Sequence, residues 1–496
     1  MDSPRPSRPS SSASAAAAAD HDNPYATRPT SSRLRSVLSS GATSFQHLRG
    51  LTQSPQLRTR MAALSLSVTA SDVNADSGAR PVDVDNIVVL EIGNRFVRAG
   101  LAGHASPSCV IPVEFGWRRV ATVTNDPVYH SLWTLRELSE CTTHTSDASD
   151  QTDPYMPDWY HTQPLKRIEV VLETMLKHAF SQELLLDPRQ QRVAVPENPL
   201  WPEALRAVIA KVLLKHLHVS SLVFLPSPVL DLISAGLRSG IVVDLGWEES
   251  FVYPVYDLRL LMTESRATVR GSKLLHSNVK KVLTDLNETN EEISFETVER
   301  VVSSALYAGA DGRRMMGIPL VPKMVVPGMA TGEGSSKEVE TRRLELGADD
   351  AIEIPNNELQ KAVSNTFFGV NEYGNDDDEQ DLARLVSDVI FNLSMDVRGA
   401  TQSTIVFVGG ASAIPGLQSK VLQEIRRLLR KKDIAAASSV MAVRSMGAWT
   451  GASLYLSSLG WYFAQDERIR LPGELSRDRY MSLGYHRTTT PFGVIY

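Results

Sequence analysis

One short pattern, met twice, constrains the fold of this chain more than any other. Ile87-Val88-Val89-Leu90-Glu91-Ile92-Gly93-Asn94 is an aliphatic, β-branched run that ends in an acid, an aliphatic and a glycine. Gly240-Ile241-Val242-Val243-Asp244-Leu245-Gly246 has the same form. The apolar residues follow one another without alternation, so each run predicts a strand buried on both faces. The glycine lets the backbone turn tightly where the strand ends. In a third unit, Thr404-Ile405-Val406-Phe407-Val408-Gly409-Gly410, a strand meets two glycines, and Pro415 then suits a helix start. Three such turns at wide spacing predict two related lobes around one nucleotide cleft, because backbone N–H groups at such turns form a concavity for phosphate.

At 496 residues the chain is long enough for two or three domain-sized units. With 42% apolar and 22% charged residues it reads as a globular protein with an added tail. A net charge of −6 gives no general attraction to nucleic acid. Cys109 and Cys141 are too few for a disulfide framework or a cysteine metal site, and fit a reducing compartment. No uninterrupted apolar run reaches the roughly 18 residues that a membrane span needs.

Residues 1–80 are rich in Ser, Ala, Pro and Arg and predict a disordered tail, since they bury too little apolar surface to offset their ordering entropy. A transit peptide is the alternative, because arginines outnumber acids up to Arg60; Asp2, Asp20 and Asp22 argue against it. Beyond the tail, apolar spacing predicts helices over 168–180, 203–217, 229–237, 272–286 and 295–307, one from 357, one carrying Leu382 to Leu393, and one from Gly416. Strands are predicted at 96–101, 192–196, 222–225 and 251–256, with a pair within 344–354. The stretch 327–341 reads as a Gly- and Ser-rich loop, and Asn375 to Glu379 as a solvated acidic insertion. The helix from Gly416 ends in Arg426, Arg427, Arg430, Lys431 and Lys432, which suits a helix C-terminus and leaves a partner contact as the alternative.

The quoted stretches resemble the actin family. Residues 87–107 resemble its first phosphate loop, 240–256 its second, 404–417 its adenosine motif, and Trp449-Thr450-Gly451-Ala452-Ser453 its tryptophan-glycine stretch near the C-terminus. The order and spacing fit over residues 85–496. The resemblance implies an α/β, actin-like fold of two lobes with a central nucleotide cleft. It places the first lobe at 81–239, with a divergent outer subdomain over 108–160, and the second at 240–444. Residues 445–496 would return to the first lobe.

The resemblance further implies ATP or ADP with Mg²⁺, bound by Gly93, Asn94, Arg98, Asp244, Gly246, Gly409 and Gly410, with Glu91 and Asp244 reaching the metal through water. Many of these positions depart from the family. Glu91 stands for an aspartate, Asn94 for a serine, Arg95 for a glycine and Arg98 for a lysine. Trp247 and Glu248 replace an aspartate and a glycine, and Glu248 brings a charge that repels phosphate. Glu91 reads either as a metal-linked acid or as an acid satisfied by backbone N–H groups. Trp247 reads either as a nucleotide contact or as a core plug, and the Gly409-Gly410 pair as a ligand turn or a folding turn. Ser227 falls where a water-positioning glutamine is expected and Phe251 where a histidine is expected. Ser445 falls where a lysine is expected, and Val302, Ser303 and Tyr307 carry no charged adenine-side pair. Phe251 cannot transfer a proton and Ser227 is too short to reach, so ATP hydrolysis is not expected while nucleotide binding stays open. His216 and His218 do not share a helical face, and a metal pair there is not expected.

Such a cleft, with an outer loop that does not match the family's, implies a structural subunit that does not form filaments. The Leu225-Pro226-Ser227-Pro228-Val229 stretch and the lack of large insertions in the lobes favour the family's role at the pointed end of the dynactin filament. Partners would then be the actin-like filament subunits and pointed-end subunits of dynactin. The hetero-oligomeric complex would support dynein-driven transport on microtubules in the cytoplasm and cytoskeleton, with no nucleic acid bound. The alternative is a nuclear actin-related scaffold subunit of a chromatin-remodelling complex; the lack of a compact basic run in 1–80 argues against it. A further alternative is an active ATPase of the actin and heat-shock class, against which Ser227, Phe251 and Trp247 stand.

Overall fold

The computed structural model describes residues 87–113, 130–134, 164–287, 292–316, 341–345, 351–369, 379–432, 434, 439–463, 471, 473–485, 492 and 494–495. The tail 1–80, Cys141, the loop 327–340, the acidic run 375–378 and most of the outer subdomain 108–160 lie outside the described residues.

In chain order the first part comprises β1 (Ile87–Ile92), β2 (Phe96–Leu101), β3 (Cys109–Pro112), α1 (Pro164–His178), β4 (Arg192–Glu197), α2 (Glu203–Ala210), β5 (Ser221–Pro226) and α3 (Ser227–Ser234). The second part begins with β6 (Gly240–Leu245), β7 (Ser250–Tyr256), β8 (Arg259–Leu261), β9 (Arg266–Thr268), α4 (Ser272–Leu286), α5 (Phe295–Ser304) and α6 (Gly309–Met315). It continues through β10 (Thr341–Glu345), β11 (Ala351–Pro355), α7 (Asn356–Phe367), α8 (Leu382–Asn392), α9 (Met395–Thr401), β12 (Thr404–Val408), α10 (Leu417–Lys431) and β13 (Met441–Val443). The chain closes with α11 (Ala448–Phe463), β14 (Leu475–Ser476), α12 (Arg477–Leu483) and β15 (Val494–Ile495). Every described residue falls within one compact unit, Leu64–Tyr496.

The two large sheets repeat one topology. The first runs β14-β5-β4-β1-β2-β3 and the second β13-β12-β6-β7-β8-β15, with β9 also on β7. In each, the glycine-ended strand pairs antiparallel with the next strand and parallel with a later one: β1 with β2 and β4, β6 with β7 and β12. Equivalent registers set Glu91 opposite Arg98 and Asp244 opposite Phe251. The C-terminal segment joins both sheets. Leu475–Ser476 pairs with β5, as a return to the first lobe requires, whereas Val494–Ile495 pairs with β8 of the second sheet.

The unbroken apolar runs have a simple cause. Val88 and Leu90 point into a core shared with α1 and α2, while Ile87 and Val89 point into a different core on the other face. Ile241, Val243 and Leu245 face a third core with α4, α7, α8 and α10, and Val242 faces the one that holds Ile87 and Val89. That shared core lies between the sheets and is built on α3 (Val229, Leu230, Leu232, Ile233) and α11 (Ala448, Trp449, Ala452, Leu456). Sheets covered on both faces by helices satisfy the α/β, actin-like expectation.

Helix ends depart from the periodicity. α1 and α2 both run on into π-type turns, Ala179–Glu183 and Lys211–His216. Leu184 and Leu217 donate their N–H groups to carbonyls five residues back, Ala179 and Val212. Leu185 and His218, neither of them glycine, then take left-handed φ values of 55° and 62°. Apolar spacing reports the buried stripe of a helix and not the hydrogen-bond pattern that closes it.

The joint between the halves depends on two residues of α11. Trp449 donates its indole N–H to the Val89 carbonyl of β1 at 3.0 Å. At Gly451 a Cβ would lie 2.0 Å from the Leu230 carbonyl oxygen of α3, so only glycine allows the helices to pack this closely. Gly451→Ala is therefore expected to lower stability by about 1–3 kcal/mol through overpacking. Gly399→Ala, in α9, where a Cβ would meet nothing within 4 Å, is expected to raise stability by about 0.4–1 kcal/mol. Urea unfolding of the two variants checks both signs.

Candidate functional site

Two of the three glycine turns, those after β6 and β12, are made by strand ends that adjoin, and Arg95, two residues past Gly93, reaches Trp247 beside Gly246. Gly93 donates its N–H to Phe96 O at 2.9 Å and closes the β1–β2 turn. At Gly246 a Cβ would lie 2.6 Å from Glu249 O. Gly409 has a φ of +83°, and its Cβ position is blocked by Leu245 O at 2.3 Å and by Asp244 Oδ1 at 2.7 Å. The β12 turn thus rests directly on the acid at the end of β6. Gly410 begins a short 3₁₀ turn and faces open space.

The charged candidates come together, but mainly with one another. The β1–β2 register brings Arg98 Nη1 onto Glu91 Oε1 as a short ion pair. That places Arg98, expected at phosphate, and Glu91, expected at metal, in each other's contact. Asp244 lies close enough to feel both. Burial and then the Glu91 charge push its carboxyl up to about 6, against the opposing charge of Arg98. A third acid, Asp231 of α3, joins them. It is 4% exposed and its Oδ1 has no hydrogen-bond partner. Burial, followed by the charges of Asp244 and Glu91, pushes Asp231 well above the ordinary carboxylate range. Three acids thus share one guanidinium, so a polyphosphate would need a divalent cation between it and them.

The outer half of the cleft is filled by side chains from both sides. Arg95 follows the first turn and is 10% exposed. Its guanidinium stands 4.5 Å from the centre of the Trp247 ring and 4.8 Å from that of Phe295. Its Nη1 donates to Glu299 Oε2 at 3.3 Å. Trp247 is 9% exposed and donates its indole N–H to Ser131 Oγ at 2.6 Å. His276 packs edge-on against Trp247 and bonds Glu299 at 2.9 Å. Burial raises the Glu299 carboxyl, but the His276 hydrogen bond and the Arg95 charge outweigh it and bring it down to about 2. Asn94 is turned toward the same wall: its Oδ1 accepts from Trp133 N–H at 3.1 Å and its carbonyl from Leu132 N–H at 2.7 Å. Trp247 is thus packed as the plug reading expects, with its ring buried among Arg95, His276 and Phe295. Glu248 pairs with Lys273 at 3.0 Å, which offsets the charge expected to repel phosphate there.

At the hydrolytic positions Phe251 stacks on Tyr253, with ring centres 5.7 Å apart, and Ser227 opens α3. Tyr307 is buried in the core, and Ser303 donates to Arg300 O. Ser445 bonds Ser234 Oγ at 2.6 Å and Asp231 O at 3.0 Å, which ties the approach of α11 to α3. His216 bonds Glu173 at 2.7 Å. Among the described residues no group of three or more His, Cys, Asp or Glu side chains is arranged to hold a metal ion. No described helix is long and apolar enough to cross a membrane. The backbone turns and the acids fit a metal-bound nucleotide, but the bulk of Trp247, with Arg95 held against it, does not fit a phosphate tail there.

Asp231, His276, Phe295 and Glu299 are members of the site that sequence reasoning missed. Asp231 carried a signal, as one acid within the apolar run Val229 to Ile233. The others lie far along the chain from the glycine turns and carried none.

Two α/β lobes of the same topology, joined by a shared core and facing each other through paired glycine turns, define the actin class of fold. The family model described as Actin matches residues 82–305 and 322–465. The chain belongs to the actin family. It is 23% identical over 428 residues to actin-related protein 4 of Oryza sativa subsp. indica, a match that covers 76% of this chain and 94% of that protein. It is 24% identical over 349 residues to actin-related protein 2 of Acanthamoeba castellanii, covering 70% of this chain and 82% of that protein.

The raised Asp244 carboxyl sets a pH dependence with a definite sign. The folded state binds the proton more tightly than the unfolded state. Stability from this group is therefore full below the ordinary value near 3.8 and is lost as pH rises through about 6. Asp244→Asn removes the charge, so it is expected to raise stability by about 1–3 kcal/mol at neutral pH and to change little at pH 4. Thermal melts of both proteins in nucleotide-free buffer across that range check it.

Proposed function

We propose that this chain is a structural actin-related subunit of a hetero-oligomeric complex, one that neither hydrolyses ATP nor assembles into filaments of its own. The observation that carries the reading is the register of the second lobe, which sets Phe251 opposite Asp244. A phenyl ring there cannot donate, accept or position a water, and Ser227 supplies no substitute. Losing one polar contact to a transition state costs roughly a hundredfold or more in rate.

Of the two assemblies that the sequence leaves open, the nuclear scaffold subunit of a chromatin-remodelling complex is the better supported. The similarity to an actin-related protein 4, which runs over 94% of that protein, supports this reading. The dynactin reading rests on the Leu225 to Val229 stretch and on the general organisation of the lobes.

Purification of the tagged chain from its own cells, with mass spectrometry of what accompanies it, tests the reading. A remodelling ATPase with nuclear actins is the expected company. Dynein-pathway subunits with a filament-forming actin-related protein would replace that complex by the pointed end of dynactin. A steady-state phosphate-release assay with Mg–ATP is expected to stay at background. Turnover that disappears in Asp244→Asn would overturn the structural role of the cleft.

A further inference from the structure

Two side chains cross between the lobes at the mouth of the cleft, one from each phosphate-loop position. Arg95 leaves the first lobe and enters a pocket of the second, formed by Trp247, Phe295 and Glu299. Trp247 leaves the second lobe and donates its indole N–H to Ser131 of the first. We propose that the two form a reciprocal clasp that holds the lobes closed with no ligand bound, where a metal-bound polyphosphate would otherwise bridge them.

The clasp is anchored on both sides by buried groups. On the first lobe, Arg167 is 1% exposed and donates to the carbonyls of Ser131 at 3.3 Å and Leu132 at 2.8 Å. Leu132 N–H in turn bonds Asn94 O, which fixes the wall to the turn that carries Arg95. On the second lobe, His276 holds Glu299 at 2.9 Å and packs against Trp247 with ring centres 4.9 Å apart. A third crossing lies beside these: His130 stacks on Phe295 of α5 with 3.7 Å between ring centres. A planar guanidinium suits this position, since it stacks on a ring by its face while donating to a carboxylate by its edge. The glycine and the aspartate that the family resemblance leads one to expect at 95 and 247 would make neither contact.

Hydrogen exchange on the full chain tests the clasp without any partner, so its failure would leave the proposed complex standing. In nucleotide-free protein the amides of 130–134 and 246–250 are expected to be protected, and Mg–ATP is expected to leave them unchanged. Arg95→Ala is expected to speed exchange in both segments by about tenfold, although they belong to different lobes, while α3 and α11 stay protected. If Arg95→Ala also exposes α3 and α11, Ser131→Ala decides, because it removes the hydroxyl that accepts the Trp247 indole N–H and leaves Arg95 in place, and it is expected to speed the same two segments by a smaller factor. Wild-type rates in the deciding variant would overturn the proposal. So would a tenfold slowing of the wild-type segments by Mg–ATP, which would make the ligand the closing element.

Discussion

The close approach of α3 and α11 is the contact on which the rest of this structure depends. Gly451 sets the helix separation by presenting no Cβ to the Leu230 carbonyl, and Trp449 fixes α11 to β1 through the Val89 carbonyl. Among the described residues these helices lie in the core that takes residues from both sheets, Ile87 and Val89 from the first and Val242 and Val255 from the second. If the helices stood further apart, the glycine turns at the strand ends would not face each other. α3, one of the two helices at the joint, also carries Asp231, so the packing that aligns the lobes brings an acid into the field of Asp244 and Glu91.

The electrostatics of the cleft follow from that placement. Burying one carboxylate without a partner is costly, and crowding three raises the penalty. The chain meets it in two ways. Glu91 is neutralised by Arg98 across the β1–β2 ladder, and Asp244 and Asp231 have carboxyls raised toward the neutral form. At the mouth the signs are reversed in logic: Glu299 is ionised because His276 and Arg95 stand against it. Its side chain is 40% exposed, so solvent screens the pair and the ion pair contributes no more than about 1 kcal/mol. The aromatic faces around the guanidinium supply the water exclusion that the ion pair lacks.

Much of the scaffold was legible in the sequence because it depends on local pattern. The strands of 87–92 and 240–245 show as apolar runs without alternation, since helices cover both faces of each sheet. The helix over 272–286 shows by its spacing, and Gly409 by the left-handed backbone that its turn demands. The site was legible only in its turns. Residue types named Arg95, Arg98, Glu91 and Trp247 as departures, but not what each would touch. The partner of Arg95 is Glu299, 204 residues further along, and no spacing rule reaches that far. Glu91 and Arg98 do lie close in sequence, yet their pairing depends on a register that the turn fixes, and a shift of one residue would have turned Arg98 to the other face.

The repeat of one topology in both lobes sharpens the functional argument. Equivalent strand positions carry Glu91 with Arg98 in the first lobe and Asp244 with Phe251 in the second. An acid opposite a base is satisfied within its own ladder. An acid opposite a phenyl ring is not, and must find a cation elsewhere or take up a proton. In this chain the nearby guanidinium is already shared with Glu91, and the other arginine of the cleft, Arg95, is directed outward to Trp247 and Glu299. The second lobe therefore keeps an acid at its strand end with a phenyl ring, and not a polar group, as its ladder neighbour. What both lobes share is the core on α3 and α11 and the Arg95 and Trp247 contacts between them, and the proposed structural role rests on that fit.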